Sequence, residues 1–225
     1  MSRHLLLLTV GAVGLALCAC ASAPVTSTWT APRVRTLNPK DKTIAVVFIS
    51  RDENTRRDGE NALAEELSAG DAHGVAAYTL LTNERREDGE AARAGLKQAG
   101  VNGVVVMRVV GKDQRTAFTR GFTVPASYRG FEQYWDYGWD TLHEPSDLQS
   151  DTPLSVETLV YSLDQGGKLV WASTSRSIDP RDLDSLIKGV ADATAREIFR
   201  PPSNFQATGP SIWTGDFNGP GSYRY

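Results

Sequence analysis

Thiols and imidazoles are scarce in this chain. Of its 225 residues only two are cysteine, Cys18 and Cys20, and three are histidine, His4, His73 and His143. Both cysteines fall within the first twenty residues, so the remainder has neither disulfide nor thiolate chemistry and must be stabilised by packing. His73 and His143 have no carboxylate or cysteine neighbours at metal-ligand spacing, which argues against a zinc site, and no metal and no cofactor is expected. Glycine is missing where a dinucleotide would need it: the residues after the first apolar run are Ile49-Ser50-Arg51-Asp52-Glu53. A Rossmann fingerprint is therefore absent, as are P-loop spacing and any serine in a Gly-x-Ser-x-Gly context. A basic stripe is lacking too. The formal charge is −3, from 24 Lys and Arg against 27 Asp and Glu, which points away from nucleic acid as a partner.

What is present begins at the N-terminus. Arg3 and His4 precede an apolar run from Leu5 to Leu17. That run is too short to span a bilayer but suits the apolar region of a secretory leader. Leu17-Cys18-Ala19-Cys20 follows, an order that resembles a bacterial lipobox closely. Cys18 is the weaker candidate because bulky Leu17 stands directly before it. The resemblance implies a thioether diacylglycerol on Cys20, cleavage between Ala19 and Cys20, and acylation of the new amine. Two or three acyl chains hold durably where one holds marginally. The alternative is that both cysteines belong to an ordinary cleaved leader. Ala21 stands where an Asp would favour inner-membrane retention, so the expected address is the outer membrane, facing the periplasm.

The organisation reads as a leader over 1–19 and then lipidated Cys20 with a flexible stalk to residue 42. A single α/β domain follows over 43–200, and a Gly/Pro-rich tail over 201–225. Within the domain, Thr43 to Ser50 is a β-branched apolar run of the kind buried on both faces. Asp52 or Asn54 caps a helix that carries Ala62, Leu63 and Leu67 and ends at Gly70, weakened slightly by Gly59. Val75 to Leu81 reads as a second strand. Asp88 caps a second helix ending at Gly100, and Gly103 to Val110 reads as a third strand. This β-α-β-α-β order implies a parallel core of three strands. After an insert over about 111–153, Leu154 to Leu163 and Lys168 to Ser177 form a hairpin across Gln165-Gly166-Gly167. Leu183, Leu186, Ile187, Val190, Ala191, Thr194 and Ile198 then mark a last helix, stopped by Pro201-Pro202. The expected fold class is an α/β sandwich of order βαβαβ, insert, ββα, with a mixed sheet and helices packed on it.

Three short motifs add a resemblance. They are Arg56-Arg57 with Glu60, Gly74-Val75 through Leu80, and Val160-Tyr161-Ser162-Leu163 followed by Leu169-Val170-Trp171. In this order they resemble a set of uncharacterised proteobacterial outer-membrane lipoproteins. The domain is also similar to that of the TolB N-terminal region, the penicillin-binding-protein activator lipoproteins and the curli-secretion lipoprotein. The resemblance covers about residues 43–200 and consists mostly of packing residues, so it implies a fold and an envelope address rather than an activity.

Two features could carry function. Asp52 and Glu53 sit at the carboxyl end of the first buried strand, where ligands bind in α/β folds. With Asp136 or Asp140 they would make a hydrolase if two carboxyls converged at about 5–9.5 Å. The competing reading is that Asp52 caps the helix while Arg56 and Arg57 meet Glu53 and Glu60 at helical spacing. The second feature is aromatic. The chain has 7 Phe, 7 Tyr and 5 Trp, and eight of these lie within 118–139 without a sustained period. Tyr128, Phe131, Tyr134, Trp135, Tyr137 and Trp139 form the candidate interaction surface. The alternative is a flap that buries these rings as an extension of the core. Removing 120–150 separates the two: an interaction surface would leave the hairpin and last helix folded. The sequence reading is a non-enzymatic, lipid-anchored interaction or assembly module of the cell envelope, whose partner is another envelope protein or peptidoglycan. A ring-forming secretion component fits less well, because the insert lacks the alternation of pore hairpins.

Overall fold

The computed structural model describes residues 25–32, 37–82, 88–111, 118, 122–142, 155–176 and 183–199. The leader, the proposed cleavage site at Ala19 and Cys20, His143 and the tail beyond residue 200 lie outside the described residues.

Six strands form one mixed sheet in the spatial order β1 (Val25–Thr30), β6 (Lys168–Arg176), β5 (Ser155–Ser162), β4 (Gly103–Val110), β2 (Thr43–Ile49) and β3 (His73–Ala76). Its parallel part is built on β2 and β4, which pair from Ile44–Gly103 to Ile49–Arg108. On the far side of β2 lies β3, also parallel. The hairpin of β5 and β6 continues antiparallel from β4. Gly166 and Gly167, at φ +78° and +75°, turn the chain between them in the left-handed region. The α/β class and the three-strand parallel core are as the sequence implies.

Both faces of the sheet are covered, which is why β2 is apolar from Ile44 to Ile49 and β4 is apolar but for Arg108. Helices α1 (Glu53–Ala69) and α5 (Leu183–Phe199) close one face over Ile44, Val46, Phe48, Val105 and Met107. Helix α2 (Gly89–Gln98) covers the other over Ala45, Val47, Val104, Val106 and Leu159, beside α3 (Ala126–Arg129) and α4 (Phe131–Asp140). Asp52 caps α1, accepting from Thr55 N at 2.7 Å, and Asp88 caps α2, accepting from Ala91 N at 2.9 Å. Gly59 is more than a weak point in α1. A Cβ there would stand 2.5 Å from Cδ2 of Phe48, so glycine lets the helix approach β2.

The second strand is shorter and earlier than Val75 to Leu81: after Ala76 the chain turns through a 3-10 segment, Ala77–Thr79. The cause is buried Glu60, whose Oε2 takes the Tyr78 amide at 2.7 Å, while Thr79 Oγ1 donates to Ala76 O. The stretch taken as a flexible stalk contains a strand, β1 (Val25–Thr30), paired antiparallel with β6. Its Thr, Val and Trp residues suit a half-covered pleated surface. The aromatic insert does have a period. Phe131, Tyr134, Trp135 and Gly138 are the buried positions of α4, at helical spacing.

Candidate functional site

The most unusual chemistry lies inside the α4 layer, on the sheet itself. β4 and β5 pair Arg108 directly with Glu157, and both side chains are fully buried. Arg108 Nε donates to Glu157 Oε2 at 3.1 Å. Tyr134 Oη donates to the same oxygen at 2.7 Å, and Tyr128 Oη lies 3.0 Å from Oε1 and 3.2 Å from Oε2. The guanidinium has its own partners: Nη1 donates to Thr141 Oγ1 at 2.8 Å, and Thr141 in turn donates to Tyr137 O at 2.7 Å. The ring centroids of Tyr137 and Tyr134 lie 4.8 and 5.5 Å from Arg108 Cζ. Tyr161 Oη completes the cage by donating to Tyr128 O at 3.1 Å.

Burying two charges is costly unless each is paired and its remaining hydrogen-bonding capacity is met. Here the insert meets it. Tyr128, Tyr134 and Thr141 come from α3, α4 and the end of α4, whereas Arg108, Glu157 and Tyr161 come from the sheet. Burial alone would disfavour the Arg108 charge, but the field of Tyr134, Glu157 and Tyr128 outweighs it and holds the guanidinium above its ordinary value. Burial, reinforced by the Glu157 charge, pushes the hydroxyls of Tyr134 and Tyr161 well above the ordinary phenol range. Both therefore stay protonated and available as donors across the physiological range. The arrangement fastens the insert to the sheet.

The residues singled out by sequence are distributed differently from that reading. Tyr128, Phe131, Tyr134 and Trp135 are at most 4 % exposed, and Tyr137 and Trp139 are partly buried against the same core. Four of the six rings thus have no surface to offer a partner. They pack edge-on and tilted in a run from Phe118 through Tyr128 and Tyr134 to Tyr161, with centroids 5.1 to 6.4 Å apart. The physical reason is that the rings cover the apolar face of β4 and β5, so the insert is core.

The carboxylates also have other employment. Asp52 is the α1 cap, its pKa lowered by the hydrogen bonds from Thr55. Glu53 lies at about 2 because Arg56 and Arg57 donate to it. Asp136 accepts from Gly89 N at 3.0 Å and so ties α4 to the start of α2, and Asp140 is exposed. Buried Glu60 accepts from Phe48 N at 3.3 Å as well as from Tyr78 N, with Arg56 at 3.9 Å. Among the described residues no group of three His, Cys, Asp or Glu side chains is placed to hold a metal ion.

Arg108 and Glu157 were missed by the sequence reading, although a signal existed. Each is a lone charge inside an apolar strand run, GVVVMRVV and SVETLVYS, and the two are opposite in sign.

No protein-family model matches the chain, and no curated protein matches it. Among solved structures the chain is similar to the PelC dodecamer from Paraburkholderia phytofirmans. The identity is 13 %, over 80 % of this chain and 99 % of that one, with a TM-score of 0.44. A single-substitution variant of that dodecamer matches at 14 % identity over 79 % and 97 %, with a TM-score of 0.42. At these values neither role nor assembly state transfers.

Proposed function

We infer that this chain is a lipid-anchored module of the cell envelope, held at the outer membrane by Cys20, that works by binding another envelope component. The observation that carries the anchor is the order Leu17-Cys18-Ala19-Cys20 at the end of the apolar run Leu5 to Leu17. No helix among the described residues is long and apolar enough to cross a membrane, and a lipid on Cys20 would supply the attachment instead. The Arg108–Glu157 centre, wholly buried, is read as structural rather than catalytic. It sits near the carboxyl ends of β2 and β4, the zone that takes ligands in α/β folds, and the chain's own tyrosines fill it. The charged groups there serve the attachment of the insert.

The test is metabolic labelling with an alkyne fatty acid in a Gram-negative host. The wild-type chain should carry the label and float with outer membranes, and Cys20→Ser should lose both properties. An unmodified Cys20 thiol in the membrane-extracted chain sinks the anchor. Purified chain that turns over a substrate in a manner abolished by Asp52→Ala would sink the binding role.

A further inference from the structure

We propose that the outer edge of β1 is a self-association surface, on which β1 of a second copy of this chain pairs antiparallel about a two-fold axis. The sheet has two edges, β1 and β3, and they are built differently. β3 is four residues long and runs straight into the 3-10 turn, whose Tyr78 amide is already taken by Glu60. Short edges of this kind are protected from pairing. β1 is six residues long and reads Val25-Thr26-Ser27-Thr28-Trp29-Thr30. It holds no Asp, Glu, Lys, Arg or Pro, the residues that usually guard an edge.

The edge is accessible and its polar groups are aimed outward. Val25, Thr26, Thr28 and Thr30 are exposed, and Val25 is the one exposed large hydrophobic among the described residues. Ala31 N donates to Val170 O on β6. Strand alternation then turns the amides of Trp29 and Ser27 toward β6 and those of Thr28 and Thr30 toward the outside. The register irregularity lies between Val25 and Ser27, so the stretch from Ser27 to Thr30 remains regular.

A second copy fits because the strand complements itself. With the axis at Trp29, Thr28 meets Thr30 of the second copy on one face and the two Trp29 rings meet on the other. Thr–Thr and aromatic–aromatic pairs are favourable cross-strand neighbours, and no like charges are brought together. The ring of Trp29 already stands edge-on to Phe122 at 5.9 Å, a platform for the second indole. Residues 21–24 reach at most ~14 Å, so a lipid on Cys20 would hold β1 close to the membrane and concentrate the copies in one plane.

The test uses the full chain extracted in detergent and also cysteine crosslinking in intact cells. The wild type should sediment as two chains. Thr28→Pro removes one outward N–H and leaves the β6 pairing intact. Thr28→Lys puts a charge on each edge without touching the backbone. Both should sediment as one chain with an unchanged far-ultraviolet circular dichroism spectrum, and should the proline variant fail to fold, the lysine variant decides. Thr28→Cys and Thr30→Cys, expressed together, should crosslink to each other, whereas His73→Cys on the opposite edge should not. A monomeric wild type, a dimer that survives Thr28→Lys, or a crosslink from residue 28 to a different protein overturns the proposal. A chain that pairs through β1 without lipid on Cys20 upholds it and removes only the anchor.

Discussion

Replacing Glu157 by Gln tests the central claim, that the buried pair exists to fasten the insert. The substitution keeps the shape and leaves the amide oxygen to accept from Tyr134, which stands 2.7 Å away. It removes the counter-charge of Arg108, whose side chain is fully buried. Breaking one partner of such a pair costs about 3–5 kcal/mol, because the other charge is left uncompensated. In a domain of this size about 1 kcal/mol shifts the midpoint by roughly 2–4 °C, so the expected drop is roughly 6–20 °C. The double variant Arg108→Met with Glu157→Leu removes both charges and keeps the volume. It should recover part of the loss: apolar replacements of a whole buried pair are commonly neutral or stabilising by about 1–4 kcal/mol, but the Tyr128 and Tyr134 hydroxyls lose their acceptor. Urea unfolding of the wild type, Arg108→Met, Glu157→Leu and the double variant gives the coupling energy directly. A Glu157→Gln variant within about 0.5 kcal/mol of wild type would show that Arg108 needs no counter-charge there. So would a double variant whose loss equals the sum of the singles.

Other parts of the fold make independent predictions. Removal of 120–150 should unfold the chain, because it uncovers the apolar face around Leu159 and Tyr161 and strips Glu157 of its tyrosine donors; a soluble product with cooperative melting would contradict this. Gly59→Ala should destabilise by about 1–3 kcal/mol in urea despite the better helix propensity of alanine, since its Cβ would overpack Phe48. Asp88→Ala should cost about 1 kcal/mol through the lost cap on Ala91 N, as read from the urea midpoint. The folded pKa of Glu53, about 2, lies below its ordinary 4.5. Its contribution is therefore present above about 4.5 and lost as the pH falls toward about 2. Glu53→Gln should flatten that limb of a stability–pH curve, and an unchanged limb would show that Arg56 and Arg57 do not act on it.

Pattern alone was enough for the parts of this protein governed by local rules. Asp52 and Asp88 announce the helix starts because a short carboxylate meets free amides there. The run TIAVVFI announces a doubly covered strand because no position in it tolerates water. The Gly166-Gly167 turn announces the hairpin through its left-handed backbone. Other features are settled between segments far apart in the chain. Nothing local says that Glu60 ends β3 by taking an amide eighteen residues away. Nothing in Val25–Thr30 says that β6 has an open side for it. The aromatic insert reads as either surface or core because its rings are interleaved with charges. Its buried face emerges only when Arg108 and Glu157 come opposite each other across β4 and β5. Their partners lie between 20 and 49 residues apart along the chain, and no periodicity reaches that far.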